Sequence, residues 1–354
     1  MTKRLFVKGN EAVAMGALEA GCRYYFGYPI TPQSDIPEYI SRELPKLGGQ
    51  FIQAESEVAS INMLLGASAC GARAMTSSSS PGISLKQEGI SYMAGSECPG
   101  LIVNICRSGP GLGGIDASQA DYFQAVKGGG HGGYHIIVLA PDSVQEMYDL
   151  AMLAFDLSDR YRVPAMLLAD AVIGQMKEGL VPNTYVAPAD LKEKDWALIG
   201  AGSGNEQKVV KSLRLGDGEL EAHNDALHAR YAVMQEKEVR YEGVALDDAK
   251  LVVTAYGSTA RIAKTAVRLA REQGMKVGLL RPITLFPFPK VAFKEHTSAG
   301  QNILCFELNN GQMVEDVRLA VPGCEVSFYG RAPGAGSLPT PEEFLEQIRI
   351  HYEA

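Results

Sequence analysis

From its first residues to about position 180 the sequence alternates short apolar runs with helix-length stretches that are apolar on one side. Apolar runs bounded by glycine, proline and serine are strand-like, and strands that alternate with helices build a parallel sheet covered on its faces. This rhythm commits the chain to the α/β class. Strands are expected at 24–28, 50–54, 73–77, 101–106, 135–139 and 165–169, with helices at 10–21, 34–44, 57–70 and 143–157. Asn10 is placed to cap the first helix and Gly21 to end it.

From Gln175 to about Ala249 the rhythm dissolves into proline, glycine and charged residues, with one charged helix expected over 224–239. It then resumes with a strand at 250–255, a helix at 259–272, a strand at 276–280 and a proline-rich turn. A strand at 302–307, a helix at 313–320 and a strand at 325–329 follow. The organisation read from this is a parallel-sheet domain over 1–185, a linker over 186–248 and a smaller α/β domain over 249–354. A chain of 354 residues exceeds the roughly 250–300 that one core serves, so two cores are expected.

Charge and cysteine usage exclude several function classes. A net charge of −8 disfavours nucleic acid or an anionic membrane as partner, since each needs a basic face. No apolar run approaches the ~20 residues of a membrane span, and the amino end lacks a signal-peptide core, so a cytoplasmic location is expected. The six cysteines are scattered and form no CxxC or CxC pair, which leaves no iron–sulfur or zinc signature in this chain.

Four segments sit where parallel α/β sheets hold ligands, just past strand ends. In Gly27-Tyr28-Pro29-Ile30-Thr31-Pro32 the prolines fix the backbone around Thr31; a rigid turn would do the same. Glu57 opens a helix of small and apolar residues. The helix dipole favours an acid there by about 0.3–1 kcal/mol, yet a buried carboxyl is also a candidate for proton chemistry. Ser77-Ser78-Ser79-Ser80-Pro81-Gly82 offers hydroxyls and free amides to a ligand, or merely a polar turn. Arg107 follows an apolar strand and could grip a carboxylate bidentately, or pair with a surface acid.

Two motifs mislead. Gly109-Pro110-Gly111-Leu112-Gly113-Gly114 formally contains GxGxxG, but proline occupies the tight turn and no ribose-binding acid follows at the needed distance. Gly216-Asp217-Gly218 is like the start of a magnesium–diphosphate motif, but it lies in the charged linker with Asn309 and Asn310 far away, and reads as a turn.

Taken together, GYPITP at 27–32, QAESEVASINMLLGAS at 53–68, AMTSSSSPGISL at 74–85 and NICRSGPGLGG at 104–114 resemble the pyrimidine-binding domain of the 2-oxoacid:ferredoxin oxidoreductases. The resemblance continues through RPITLFPFP at 281–289 and FELNNGQM at 306–313, and so spans nearly the whole chain. In detail it is greatest to the branched-chain (3-methyl-2-oxobutanoate, or 2-ketoisovalerate) enzymes, with the 2-oxoglutarate enzymes as the alternative; a transketolase-type subunit or a non-catalytic scaffold are further ones.

The resemblance implies a thiamine-diphosphate-binding domain of pyrimidine type, followed by a transketolase C-terminal-like α/β domain. It implies that Glu57 hydrogen-bonds N1′ of the aminopyrimidine, and that Thr31 and Arg107 contact the substrate's carbonyl and carboxylate side. Tyr28, Pro29, Ile30, Ser79, Ser80, Pro81 and Gly82 would border the cofactor. It further implies a partner chain carrying the diphosphate-binding domain and Mg2+, a gamma-type subunit, a small ferredoxin-like subunit with 4Fe-4S clusters, coenzyme A as co-substrate and external ferredoxin as acceptor.

Overall fold

The structure, a computed structural model, describes residues 4–200, 202, 206–332, 334 and 338–353. The first part of the chain runs β1 (Leu5–Lys8), α1 (Gly9–Glu19), β2 (Tyr24–Gly27), α2 (Asp35–Glu43), β3 (Gln50–Gln53), α3 (Glu57–Ala69), β4 (Ala74–Ser78), α4 (Ser80–Gly95) and β5 (Gly100–Cys106). It continues with α5 (Tyr122–Val126), β6 (Ile137–Leu139), α6 (Val144–Tyr161), β7 (Pro164–Asp170), α7 (Ala171–Gln175), β8 (Lys177–Leu180), α8 (Glu219–Lys237) and β9 (Tyr241–Val244). The last part holds β10 (Leu251–Thr254), α9 (Gly257–Glu272), β11 (Val277–Pro282), β12 (Thr284–Phe286), α10 (Lys290–His296), β13 (Asn302–Glu307), α11 (Met313–Ala320), β14 (Glu325–Gly330) and α12 (Pro341–Glu353).

The larger sheet has seven strands in the order β12-β6-β7-β5-β4-β2-β3, parallel except for β12. Its central strands β5 and β7 are buried at every residue, as continuous apolar runs demand. After β2 the chain moves to one side for β3 and returns to the other side for β4, so a crevice opens outside the carboxyl ends of these strands. Helices α1 and α6 press together where Gly16 meets the Tyr148 main chain; a Cβ on Gly16 would collide with the Tyr148 carbonyl oxygen.

The smaller sheet has the order β14-β13-β10-β11-β9, with β9 antiparallel to β11. Alternation along its strands divides the apolar residues between two cores. Val252, Leu280 and Ile303 join the core of the larger sheet, while Leu251, Val253, Leu279 and Leu304 face a separate core closed by α9 and α12. Two cores are therefore present, but the larger crosses from one sheet to the other.

Four readings of the sequence need correction. Asn10 does not cap α1: the helix begins earlier, with Glu11 accepting the Lys8 amide at 2.8 Å, and Asn10 is buried inside it. The segment after Gln175 is not plain linker, because β8 pairs antiparallel with β1 and β9 edges the smaller sheet. Its charged helix starts five residues earlier than expected, at Glu219. The proline-rich stretch after β11 contains β12, which pairs with β6 and so crosses into the other sheet.

Both misleading motifs are turns. Gly111 and Gly113 take positive φ with no helix following directly, and Gly218, at φ 71°, precedes α8. All six cysteines are free, and no described helix is long and apolar enough to cross a membrane.

Candidate functional site

The fold gathers the four ligand-like segments at one crevice. The Gly27–Pro32 loop leaves β2, Glu57 opens α3 after β3, the serine run leaves β4 into α4, and Arg107 directly follows β5. They are neighbours because β3, β2, β4 and β5 are adjacent in the sheet and point the same way.

Ser56 caps α3 by accepting the Ala59 amide at 3.2 Å, which fixes Glu57 as the first helical residue. Glu57 is buried, whereas Glu55 is exposed. The Glu57 carboxyl lies across α4 at Gly82, where a Cβ would collide with Ser78 Oγ and stand 2.7 Å from Glu57 Oε1. Glycine at 82 thus leaves room for the Ser78 hydroxyl and the Glu57 carboxyl, which a larger residue would displace. Lys86, one turn further along α4, is also buried and reaches the first turn of α3.

Arg107 is buried and makes no ion pair among the described residues, so the surface-pair reading is not what the geometry shows. Its Nη1 donates to the Thr31 carbonyl at 2.9 Å and its Nη2 to the Leu112 carbonyl at 3.0 Å, while Nε has no partner. Thr31 and Arg107 therefore meet, through the Thr31 main chain, and the Thr31 side chain stays exposed. Tyr28 and Pro29 are exposed and Ile30 half-buried on the same loop. Ser80 braces Arg107: its hydroxyl accepts the Arg107 amide at 3.0 Å and donates to Asp121 at 2.6 Å. Asn104 donates to the same carboxylate oxygen at 2.9 Å.

The loop after β2 is held from beneath by Asn10, which the sequence offered only as a helix cap, and by Gln33 and Gln175, which no motif singled out. Asn10 and Gln175 donate to the Pro32 carbonyl at 2.9 and 2.7 Å, and Gln33 accepts from Ser77 at 2.5 Å. Beside Arg107 a cleft of about 430 Å³ separates Ser108 and Asp121 from Asn309 and Gln312 of the smaller domain. No motif in the first domain could reveal that contribution.

The crevice contains buried polar atoms without partners among the described residues: Ser78 Oγ, Ser79 Oγ, Ser108 Oγ and Arg107 Nε. Buried hydroxyls and guanidinium nitrogens are almost always hydrogen-bonded in folded proteins. Together with the carboxyl at Gly82, they fit a planar, polar-edged ligand such as the aminopyrimidine of thiamine diphosphate.

Comparison with known proteins decides the family. Residues 15–238 match the family profile described as pyruvate flavodoxin/ferredoxin oxidoreductase, thiamine-diphosphate-binding, and residues 249–344 that of pyruvate:ferredoxin oxidoreductase core domain II. The chain belongs to the 2-oxoacid:ferredoxin oxidoreductase family. It is 51% identical over 97% of its length to the ketoisovalerate oxidoreductase subunit VorB of Methanothermobacter marburgensis, covering 96% of that protein. It is 38% identical to the 2-oxoglutarate synthase subunit KorA of Archaeoglobus fulgidus, with 97% of each chain covered.

Among solved structures, the 2-oxoglutarate:ferredoxin oxidoreductase of Magnetococcus marinus, with 2-oxoglutarate, coenzyme A and succinyl-CoA bound, superposes with a TM-score of 0.89 at 25% identity. The match covers 99% of this chain and spans 65% of the length of that one. A split-gene transketolase shares the fold at 11% identity, with a TM-score of 0.61.

Proposed function

We propose that the chain is the pyrimidine-side subunit of a cytoplasmic oxidoreductase that converts 3-methyl-2-oxobutanoate and coenzyme A to acyl-CoA and CO2 while reducing ferredoxin. The observation that supports this most is the set of unpartnered buried polar atoms around Glu57 and Arg107, at the reversal of strand order in the larger sheet. When bound, thiamine diphosphate would supply the carbanion chemistry that decarboxylation needs.

The chain's own residues orient and grip. Glu57 would hold a proton against N1′ of the aminopyrimidine, the acid–base role suited to a buried carboxyl at a helix start. Tyr28, Pro29, Ile30, Ser79, Ser80, Pro81 and Gly82 would border the ring, with Ser80 acting through Arg107 and Asp121. Arg107, already braced on two carbonyls and with Nε free, would receive the substrate's carboxylate, and Thr31 would lie beside its carbonyl.

The remaining parts are assigned to partner chains. A diphosphate-domain subunit would bring Mg2+ and close the thiamine site, a gamma-type subunit would complete the assembly, and a small subunit with 4Fe-4S clusters would pass electrons to external ferredoxin. This chain offers no cluster of metal-ligating side chains among its described residues.

The branched substrate follows from the 51% identical VorB relative; the bound 2-oxoglutarate of the structural relative favours a second reading. Comparing kcat/KM of the reconstituted complex for 3-methyl-2-oxobutanoate, pyruvate and 2-oxoglutarate separates them. We expect the branched acid to lead; a lead for 2-oxoglutarate would transfer the assignment.

A further inference from the structure

Lys86 is fully buried, and no carboxylate lies within ion-pair distance of it among the described residues. An ammonium in that position is unfavourable, because long basic side chains normally extend to water or to an acid. A methionine would fill the same volume without that penalty. The charge therefore calls for a reason.

The surroundings point to Glu57. On α4, Gly82 and Lys86 stand four residues apart, hence on one face of the helix. Gly82 makes room for the Glu57 carboxyl, and Lys86 Nζ donates to Ser60 Oγ and, at 3.4 Å, to the Glu57 carbonyl. Ser60 Oγ donates to that same carbonyl at 2.9 Å. The first turn of α3 is thus tied to α4 directly beneath the carboxyl. Glu57 is the only charged residue on α3, and the other titratable groups of α4, Glu88 and Tyr92, bond to each other at the surface.

We propose that Lys86 is a positioning residue of the thiamine site that acts through Glu57. Its ammonium tethers the first turn of α3 and supplies the opposite charge that keeps the carboxyl directed across Gly82 into the crevice. The inference rests on the reading of Glu57 given above, and goes beyond it by assigning a role to a residue that touches neither cofactor nor substrate.

Burial pulls the Lys86 ammonium down to about 8, and the Glu57 charge resists that fall. Below that pH the tether is charged; above it the charge is lost. Two measurements test the proposal. In the isolated chain, carbon NMR of labelled lysine should show Lys86 titrating near 8, and Glu57→Gln should move that titration to lower pH by removing the opposing charge. This readout needs neither cofactor nor turnover.

In the assembled complex, exchange of the thiamine C2 proton at neutral pH should slow about 10- to 100-fold in Lys86→Met and in Lys86→Gln, as expected when a reacting group is misplaced. Lys86→Arg should recover most of the rate. Wild-type exchange should fall as pH rises through about 8, and the neutral variants should lack that step. Normal exchange in both neutral variants, alongside slow exchange in Glu57→Gln, would overturn the role of Lys86 and leave the site standing. Normal exchange in Glu57→Gln would instead remove the site reading itself. Failure of both neutral variants to assemble, with Lys86→Arg intact, would assign the charge to folding and overturn the proposal too.

Discussion

At the junction between the two domains the buried Gln119 and Glu307 side chains find partners within the chain, whereas at the carboxyl ends of β4 and β5 several buried polar groups do not. Gln119 shows the first pattern. Its Nε2 donates to the Tyr256 carbonyl at 2.7 Å, and its Oε1 accepts from Thr259 at 3.2 Å and from the Leu308 amide at 2.9 Å. Glu307 accepts the Met313 and Val314 amides at 2.8 and 3.0 Å, and so closes the start of α11. Ser78, Ser79 and Ser108 show the second pattern, with buried hydroxyls that bond to nothing described. An unmade hydrogen bond costs a buried group about 1–3 kcal/mol, so a chain keeps such groups where something else completes them. The junction is a joint; the crevice, on the function proposed above, is half of a site.

The largest effect that this contrast predicts is on Glu57. Glu57→Gln keeps the size of the side chain at the helix start, so the fold should lose at most about 1 kcal/mol. If Glu57 works on the cofactor, exchange of the thiamine C2 proton in the assembled complex should slow by the ~10²–10⁴-fold of a lost acid–base group. Acid-quenched NMR reads that step without substrate or ferredoxin. Slow exchange in Glu55→Gln, with Glu57→Gln normal, would move the role to the exposed neighbour; normal exchange in both would make α3 a joint like the rest.

Next in size is Arg107→Ala. A charge-assisted pair to a carboxylate is worth about 1.5–3 kcal/mol, so kcat/KM for the 2-oxo acid should fall roughly 10- to 100-fold. The affinity for thiamine diphosphate should stay within about twofold, because the lost group is assigned to the substrate and not to the cofactor. Arg107→Lys should not restore the rate, since an ammonium cannot reproduce the planar fork that also braces the Thr31 and Leu112 carbonyls. Kinetics unchanged in both variants would leave Arg107 as a loop brace only.

The two regions also differ in how far the sequence reveals them. The crevice was legible because each of its segments directly follows a strand, and position at a strand end can be read locally. The central strands were legible for a similar reason, being continuous apolar runs. The joint was not. Gln119 is defined by Tyr256, Thr259 and Leu308, all more than a hundred residues away, and β12 is a three-residue strand between prolines whose partner is β6. Strands β1, β8 and β9 are four residues long and mostly polar or half-exposed, so pairing rather than pattern makes them strands. Lys86 lies between these cases. With Ile83, Gln87 and Ile90 it forms a buried stripe at helical spacing, so its burial could be read, but its reach to α3 could not.

The smallest effects provide the most direct comparison of joint and site. Gln119→Ala leaves the Leu308 amide without its partner and takes one of the donors from the Tyr256 carbonyl, so urea unfolding of the isolated chain should show a loss of about 1–3 kcal/mol. Ser78→Ala removes a hydroxyl that bonds to nothing in the chain, so the same measurement should move by no more than about 0.5 kcal/mol, in either direction. With partner subunits and thiamine diphosphate present the ranking should reverse for Ser78. A hydrogen bond formed only with the ligand is worth about 0.5–1.5 kcal/mol, so cofactor affinity should drop up to roughly tenfold. Equal destabilisation of the isolated chain by the two substitutions would mean that the Ser78 hydroxyl has an internal partner, and the crevice would then be another joint.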